Sequence, residues 1–295
     1  MKFSIITPVY NMGQFISKTI ESVLLQSGDF EIEYIIIDGG SKDNTLDIIK
    51  RYSKEIEGGI FPIACKNVKI KYVSEKDSGM YDAINKGFSM ATGEIFAWIN
   101  SDDLYLPNAL SVISKCFIKY PDIDWITGDT EVHSKDKIDK KLCYLYKTDW
   151  IKDGTYGTSS YFIHQESVFW RKNLWKKSGP IPSSLRYAGD FWLWKSFAKH
   201  AELFSLNYPV SIFNVREGQL SGNMDNYIKE QQGIGYGHSI RSFVIKSFFF
   251  LKRFIPFSIH TMIYKFFFNK TKSFVLIYLE GDIIKVSEST YVYTK

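Results

Sequence analysis

Apolar and polar positions over the first 130 residues follow two alternating rhythms. "KFSIITPVY" reads as a buried strand, and the stretch after it sets Phe15, Ile16, Ile20, Val23 and Leu24 near one face of a helix. The β-branched run "IEYIIID" predicts a second buried strand. "GGSKDNTLDIIKRY" then predicts a turn and a helix, with Ser41 and Asp43 as cap candidates. "VKIKYVSE" alternates as a strand, "MYDAINKGFSMA" has helical spacing, and "EIFAWIN" is the next apolar run. Pro107 suits the first turn of a following helix, and "DIDWITGD" is a fifth strand. Strand and helix in such alternation imply an α/β fold, a mostly parallel sheet with helices on both faces.

Beyond about Thr130 the rhythm loosens into α+β material. "KDKIDKKLCYLYKT" reads as a charged turn and a strand, "QESVFWRKNLWKKSG" as a strand and short helix, "AGDFWLWKSFAKH" as a helix and "LFSLNYPVSIFNV" as strand. This half is expected to cover the open edge of the sheet. No repeat or low-complexity linker interrupts the chain, and the best boundary lies near Gln219–Gly222. The expected division is a body over 1–220, split at 130 into two halves, and a tail over 221–295.

Charge sharpens that division. The 295 residues carry a formal +5, yet from Gln231 to Leu279 there is no Asp or Glu, while Arg241, Lys246, Lys252, Arg253, Lys265, Lys270 and Lys272 supply seven positive charges. The remainder sums to −2, so a near-neutral body carries a basic, aromatic tail, which is a signal about partners. Within "RSFVIKSFFFLKRFIPF", a helical wheel sets Phe243, Val244, Phe248, Phe250, Leu251, Phe254 and Ile255 on one side and Arg241, Lys246, Lys252 and Arg253 on the other, with Ile245 and Phe249 as exceptions. Such a basic amphipathic helix suits an anionic membrane surface; the alternative is a helix packed on the body or on a second subunit.

Cys65, Cys116 and Cys143 are odd in number and show no C-x-x-C spacing, which argues against a disulfide framework or structural zinc and for a reducing compartment. The N-terminal "MKFSIITPVYN" is a strand without the long apolar region of a secretion signal, and no run approaches the ~20 apolar residues of a spanning helix. The expectation is a cytoplasmic protein, peripheral on the inner face of the cytoplasmic membrane, with no nucleic-acid partner and an open oligomeric state.

Candidate chemistry collects where strands end. Thr7-Pro8-Val9-Tyr10-Asn11, Asp38-Gly39-Gly40-Ser41 and Asn100-Ser101-Asp102-Asp103 each follow an apolar run. In an open parallel sheet these ends share one rim, the side on which ligands bind. Two or three carboxylates there suit a hard divalent cation, since Mg²⁺ typically takes one or two carboxylates and draws its other ligands from substrate phosphates. Asp38 could instead bond a base or ribose. Each motif taken singly is equally a turn or a helix cap.

Together, "SIITPVYN", "IIIDGGSKDNT", "SEKDSGMYDAINKG", "ATGEIFAWINSDD" and "YAGDFWLW" resemble, in order and spacing, the family 2 glycosyltransferases over roughly residues 1–220. The likeness is greatest to bacterial members that build O-antigen, capsule or exopolysaccharide units. The resemblance implies the GT-A fold and an inverting enzyme that moves one sugar from a nucleotide-diphosphate donor, UDP-linked, to a lipid-linked oligosaccharide with Mn²⁺ or Mg²⁺. It assigns Thr7, Pro8 and Tyr10 to the base and ribose, Asp38 to the uracil ring, and Asp77 to the donor pocket. Asp102 becomes the metal-holding aspartate of a D-x-D motif. This chain has Asn100 at that motif's first position, so Asn100 and Ser101 border the donor with less negative charge. Asp103 either joins Asp102 on the metal or caps the following helix.

Inversion needs a base for the acceptor hydroxyl, and the resemblance gives that role to Asp190 in "YAGDFWLWKSF"; the plain alternative is a carboxylate favoured by the helix dipole. Glu166 is the next candidate, Gln165 could line the acceptor site, and His164 alone reads as structural. Arg216 reads as a diphosphate contact or a surface salt bridge. Trp192 and Trp194 shape the acceptor pocket or belong to the core. A sugar-nucleotide nucleotidyltransferase is the rival enzyme, but "TPVYNMGQF" lacks the Arg and Lys its glycine-rich loop requires. A non-catalytic GT-A-like scaffold is the second rival, and the set Asp38, Asp102 and Asp190 weighs against it.

Overall fold

The period-2 pattern of Lys2–Val9 is realised as β1, which sends Phe3, Ile5 and Val9 into one core and Ile6 into another on the opposite face of the sheet. The computed structural model describes residues 1–141, 146–157, 162–236 and 273–288, with isolated positions at 243, 247, 254–256 and 259. The elements after β1 run α1 (Ile16–Leu24), β2 (Gly28–Asp38), α2 (Thr45–Glu57), β3 (Cys65–Ser74), α3 (Met80–Met90) and β4 (Ile95–Trp98). Then come β5 (Leu104–Tyr105), α4 (Ala109–Lys119), β6 (Trp125–His133), β7 (Ile138–Lys141), α5 (Thr148–Lys152), β8 (Val168–Arg171), α6 (Lys172–Ser178) and α7 (Gly189–Phe197). The chain closes with β9 (Leu203–Asn214), α8 (Met224–Ile234), β10 (Ser273–Leu279) and β11 (Asp282–Glu288).

Among the described residues one sheet carries all the strands, in the order β11-β10-β9-β6-β8-β4-β1-β2-β3, with β5 on β9 and β7 on β6. Along that path only β8 and β11 run against the rest, so the expected mostly parallel α/β sheet is present. The order reverses at β1, which has β2 on one side and β4 on the other; this crevice is where such sheets bind ligands. Helices α1, α2 and α4 cover one face. α1 buries Ile16, Thr19, Ile20, Val23 and Leu24, a stripe at helical spacing. On the other face α3, α6 and α7 close over an aromatic core. There Trp98 stacks on Trp194 at 5.7 Å and Trp170 packs edge-on to Trp98 at 5.7 Å. Aromatic pairs of this kind add roughly 0.5–1.5 kcal/mol each beyond the area they bury, and they fix the axis of α7.

Away from the rim, Glu33 is 1% exposed in β2. Its carboxylate takes the Lys71 ammonium at 2.7 Å, the Ser4 hydroxyl at 2.6 Å and the Thr92 N–H at 2.7 Å. Burial alone would push this carboxyl up; the Lys71, Ser4 and Thr92 bonds overcome it and leave it at about 2.

Three expectations are corrected. The second half does not cover the sheet's edge but continues the sheet: β8 inserts between β4 and β6 because its antiparallel register joins both, and β6 itself straddles residue 130. Second, residues 221–295 are not one helical tail, since β10 and β11 extend the same sheet from β9 and α8 packs against α7. Third, the chain after Asp103 enters β5, a short strand on β9, before α4 begins beyond Asn108. The amphipathic helix expected over 241–257 lies, apart from a few isolated positions, outside the described residues. Among the described residues no helix is long and apolar enough to cross a membrane.

Candidate active site

Strand register sets the rim. Val9 of β1 lies opposite Asp38 of β2, and Asp38 opposite Ser74 of β3, so three strand ends stand level. The turns beyond them are tied to one another. Asp38 is fully buried; Ser74 donates to its Oδ2 at 2.6 Å and the Ser41 hydroxyl to its Oδ1 at 2.5 Å. Ser41 in turn accepts the Asn11 N–H at 2.8 Å, while Asn11, with φ of 51°, accepts Lys42 N–H at 2.7 Å. Ser41 therefore braces the turn, and it is Asp43 that accepts the N–H of Thr45 at the start of α2. Gly40, at φ of +82°, makes the reversal that a residue with a Cβ rarely adopts.

Asp77 lies against Gly39 and accepts the Gly79 N–H at 2.9 Å. Burial, and beyond it the charges of Asp82 and Asp38, raise its carboxyl. Tyr10 is 59% exposed beside these groups in the chain, whereas Pro8 is buried. The Thr7 side chain is fully buried, and its hydroxyl shares a 3.0 Å hydrogen bond with the Tyr34 hydroxyl, so Tyr10 is the side chain this segment offers to the rim.

On the other side of the crevice, β5 pairs with β9 and thereby lays Asp102 and Asp103 along the end of β9. Asp103 is 1% exposed; its carboxylate accepts Asn214 N–H at 3.0 Å and the Asn100 amide at 3.3 Å. Burial first, then the carboxylates of Glu166 and Asp102, push it well above the ordinary range. It caps no helix, because a strand follows it. Being turned inward, it leaves Asp102 as the member of the pair that fronts the rim. Asp102 Oδ2 accepts Arg216 Nε at 2.5 Å. Arg216 also lies over the Phe15 ring at 5.2 Å and approaches Met12 Sδ at 3.4 Å, so it bridges the ends of β9, β4 and β1. Half-buried, it forms the salt bridge that one reading allowed, with a partner that is itself largely buried. Ser101 is buried, and the Asn100 amide oxygen has no hydrogen-bond partner among the described residues.

This oxygen-rich set fits a hard cation held chiefly by Asp102. The guanidinium at Asp102 shows that the position takes a positive partner, and a substrate diphosphate would complete the ligands. Among the described residues no three His, Cys, Asp or Glu side chains are grouped as a protein-only cation site.

Asp190 opens α7. It is 7% exposed, accepts the Tyr227 hydroxyl at 2.7 and 2.8 Å on its two oxygens, and accepts the N–H of Phe191 at 2.7 Å. Burial raises it to about 6, against the lowering effect of the Tyr227 and Phe191 bonds, with the Glu166 charge adding to the rise. Glu166, 3% exposed and 3.2 Å from His164 Nδ1, thus acts electrostatically on both Asp103 and Asp190 and joins the two sides of the site. Gln165 is fixed to the end of β4 by a 2.6 Å bond to Trp98 O. Gly189 lets α7 approach the Tyr81 ring so closely that a Cβ would stand 2.6 Å from it. Trp194 is a core residue, and Trp192 is half-buried against the same cluster.

Sequence reasoning missed Tyr227, Asn214 and the pairing of Arg216 with Asp102. The signal for the last was the alternating "LFSLNYPVSIFNV", whose end had to meet another strand end; Tyr227 carried none beyond its helical spacing.

A family model described as glycosyl transferase family 2 matches residues 4–176. An uncharacterized glycosyltransferase of Rickettsia typhi is 26% identical over 79% of this chain and 70% of its own length. Among solved structures, S. aureus TarS in complex with UDP-GlcNAc aligns with a TM-score of 0.58 at 18% identity, covering 91% of this chain and 72% of that one. Mannosyltransferase PcManGT from Pyrobaculum calidifontis, in complex with GDP-Man and Mn²⁺, aligns with a TM-score of 0.53 at 15% identity, over 75% of this chain and 59% of that one. These likenesses are of fold.

Proposed function

The chain belongs to glycosyl transferase family 2, and from that premise we propose that it is a metal-dependent, inverting enzyme that moves one sugar from a UDP-linked donor to a lipid-linked oligosaccharide in surface-polysaccharide assembly. The observation that carries this reading is Asp190: a buried carboxylate raised to about 6, placed so that Glu166 links it to the Asp102–Asp103 side of the crevice. That two structural neighbours bind nucleotide sugars, one of them with Mn²⁺, supports the donor class.

In the reaction the acceptor hydroxyl oxygen attacks C1 of the donor sugar as its proton passes to an Asp190 oxygen. The new C1–O bond forms while the bond to the diphosphate breaks on the opposite face, and its electron pair leaves with the nucleotide. A general base near 6 is ionised at neutral pH yet still basic enough to take the proton. Asp102 would hold the cation, which when bound stabilises charge on the departing diphosphate. Arg216, released from Asp102, has the reach and charge to meet the same phosphates. Asp38, Asp77 and Tyr10 border the nucleotide side.

Attachment to an anionic leaflet through the basic amphipathic pattern of 241–257 would bring the site to an acceptor that stays in the bilayer. The test is hydrolysis and transfer with a panel of nucleotide sugars, with and without Mn²⁺. Wild type is expected to select one donor, and Asp190→Asn to lose turnover by about 10²-fold or more with donor affinity kept. Near wild-type turnover in that variant would move the base elsewhere, with Glu166 next.

A further inference from the structure

We propose that helix α8, which lies beyond the residues matched by the family model, is the positioning element of the base: Tyr227 holds the carboxylate of Asp190, and Glu230 holds the loop from which α7 starts. This rests on Asp190 being the base.

The argument begins with what α7 lacks. Its N-cap residue is Ala188, which has no side-chain acceptor, and the backbone N–H groups at a helix start need partners. Glu230, from another helix, partners the cap N–H of Ala188 and the two N–H groups just before it, while Phe191 N–H is taken by Asp190 itself. The Glu230 carboxylate accepts Arg186 N–H at 2.8 Å, Tyr187 N–H at 2.7 Å and Ala188 N–H at 2.5 Å. An anion at that end also matches the helix dipole. Tyr227 lies three residues earlier and therefore on the same face of α8. It is 8% exposed, packs edge-on to Phe162 at 5.9 Å, and shares a small core with Ala188, Phe191 and Tyr236. One phenolic hydrogen shared by both carboxylate oxygens, with the Phe191 N–H on Oδ1, fixes the plane of the carboxylate and leaves Oδ2 its remaining lone pair for an acceptor hydroxyl. Two contacts one helical turn apart thus set the position and rotation of a group whose aim must hold closely for catalysis.

The groups facing Asp190 are Glu166 from the 165–167 turn, Tyr81 from α3 and Tyr227 from α8, with Glu230 acting on Tyr81. Replacing Tyr227 by Phe removes one hydroxyl and leaves the others in place, so their contributions cancel in the comparison. A hydrogen bond to the ionised form lowers a carboxyl, and its loss raises it.

The test is Tyr227→Phe, measured by ¹³C NMR titration of the Asp190 carboxyl, assigned with Asp190→Asn, and by the pH profile of kcat. The expected result is an upward move of both the NMR titration and the acid limb by about one pH unit. The loss in kcat should then be about tenfold greater at pH 5 than at pH 8, with donor KM within about twofold. Glu230→Ala should lower kcat at every pH with donor KM again held. An NMR titration that stays in place overturns the role of Tyr227. A titration that moves while the kinetic limb stays shows instead that Asp190 is not the base, and the proposal falls with the reading beneath it. A kcat loss equal at all pH values would reduce Tyr227 to a packing residue.

Discussion

Burying an ionised carboxylate at Asp190 has a stability cost that can be measured separately from catalysis. Its carboxyl is raised from the ordinary 3.8 to about 6, chiefly by burial. A group whose folded value is raised contributes stability that is complete below the unfolded value and lost as pH rises through the folded one. At about 1.36 kcal/mol per unit, the rise corresponds to about 3 kcal/mol withdrawn from the fold above pH 6. Asp190→Asn keeps the shape and an acceptor for Tyr227 while removing the charge, so the variant should be more stable than wild type at pH 7.5. Allowing for a weaker bond to a neutral amide, the gain is about 1–3 kcal/mol, or roughly 2–6 °C in Tm for a chain of this size. At pH 4, where wild type is already protonated at this site, the two proteins should melt together. Scanning fluorimetry across that range reads the difference directly. A variant that melts below wild type at pH 7.5, or a gap that does not close on acidification, refutes the reasoning and with it the raised carboxyl.

Other groups give equally direct tests. Glu33, held at about 2 by Lys71, Ser4 and Thr92 against the cost of burial, contributes stability that is complete above pH 4.5 and lost as pH falls through about 2. Glu33→Gln should therefore cost about 3 kcal/mol at pH 7 in urea unfolding, and a loss under about 1 would show that the network is not carried by its charge. Arg216→Ala should strengthen Mn²⁺ binding in the absence of donor, by freeing Asp102, and weaken donor binding about tenfold; unchanged cation affinity by calorimetry would remove Asp102 as its holder. Replacing Lys246, Lys252 and Arg253 with Glu should abolish salt-sensitive co-sedimentation with anionic vesicles while sparing donor hydrolysis. Sedimentation that persists in the triple variant ends the membrane proposal for that segment.

The sheet and its rim were legible because burial leaves a local trace: the β-branched run Ile35, Ile36 and Ile37, short and bounded by turn residues, favours a strand covered on both faces, and polar residues immediately beyond such runs mark strand ends. Less was visible in the second half. The short β8 and the two-residue β5 are held by neighbours distant in the chain, and no local pattern announces a partner that far away. The same limit hid the chemistry of Asp103. Its sequence context, a carboxylate four residues ahead of Pro107, is that of a cap; what decides its role is the N–H of Asn214, which only the folded chain brings to it. Asp190 was found by its motif, but its raised carboxyl depends on burial in the folded chain and on the Glu166 charge, which together outweigh the lowering bond from Tyr227.

The hairpin of β10 and β11 changes what counts as the smallest self-sufficient piece of this enzyme. Lys119 meets Asp282 at 2.7 Å, the Tyr120 hydroxyl donates to Ile283 O at 3.0 Å, and Phe274 packs on Phe204 at 4.9 Å, so the hairpin is clamped to α4 and β9. A protein shortened to residue 220 would keep every motif of the family yet lose the partner of Asp190 and bare the edge of β9 as a template for aggregation.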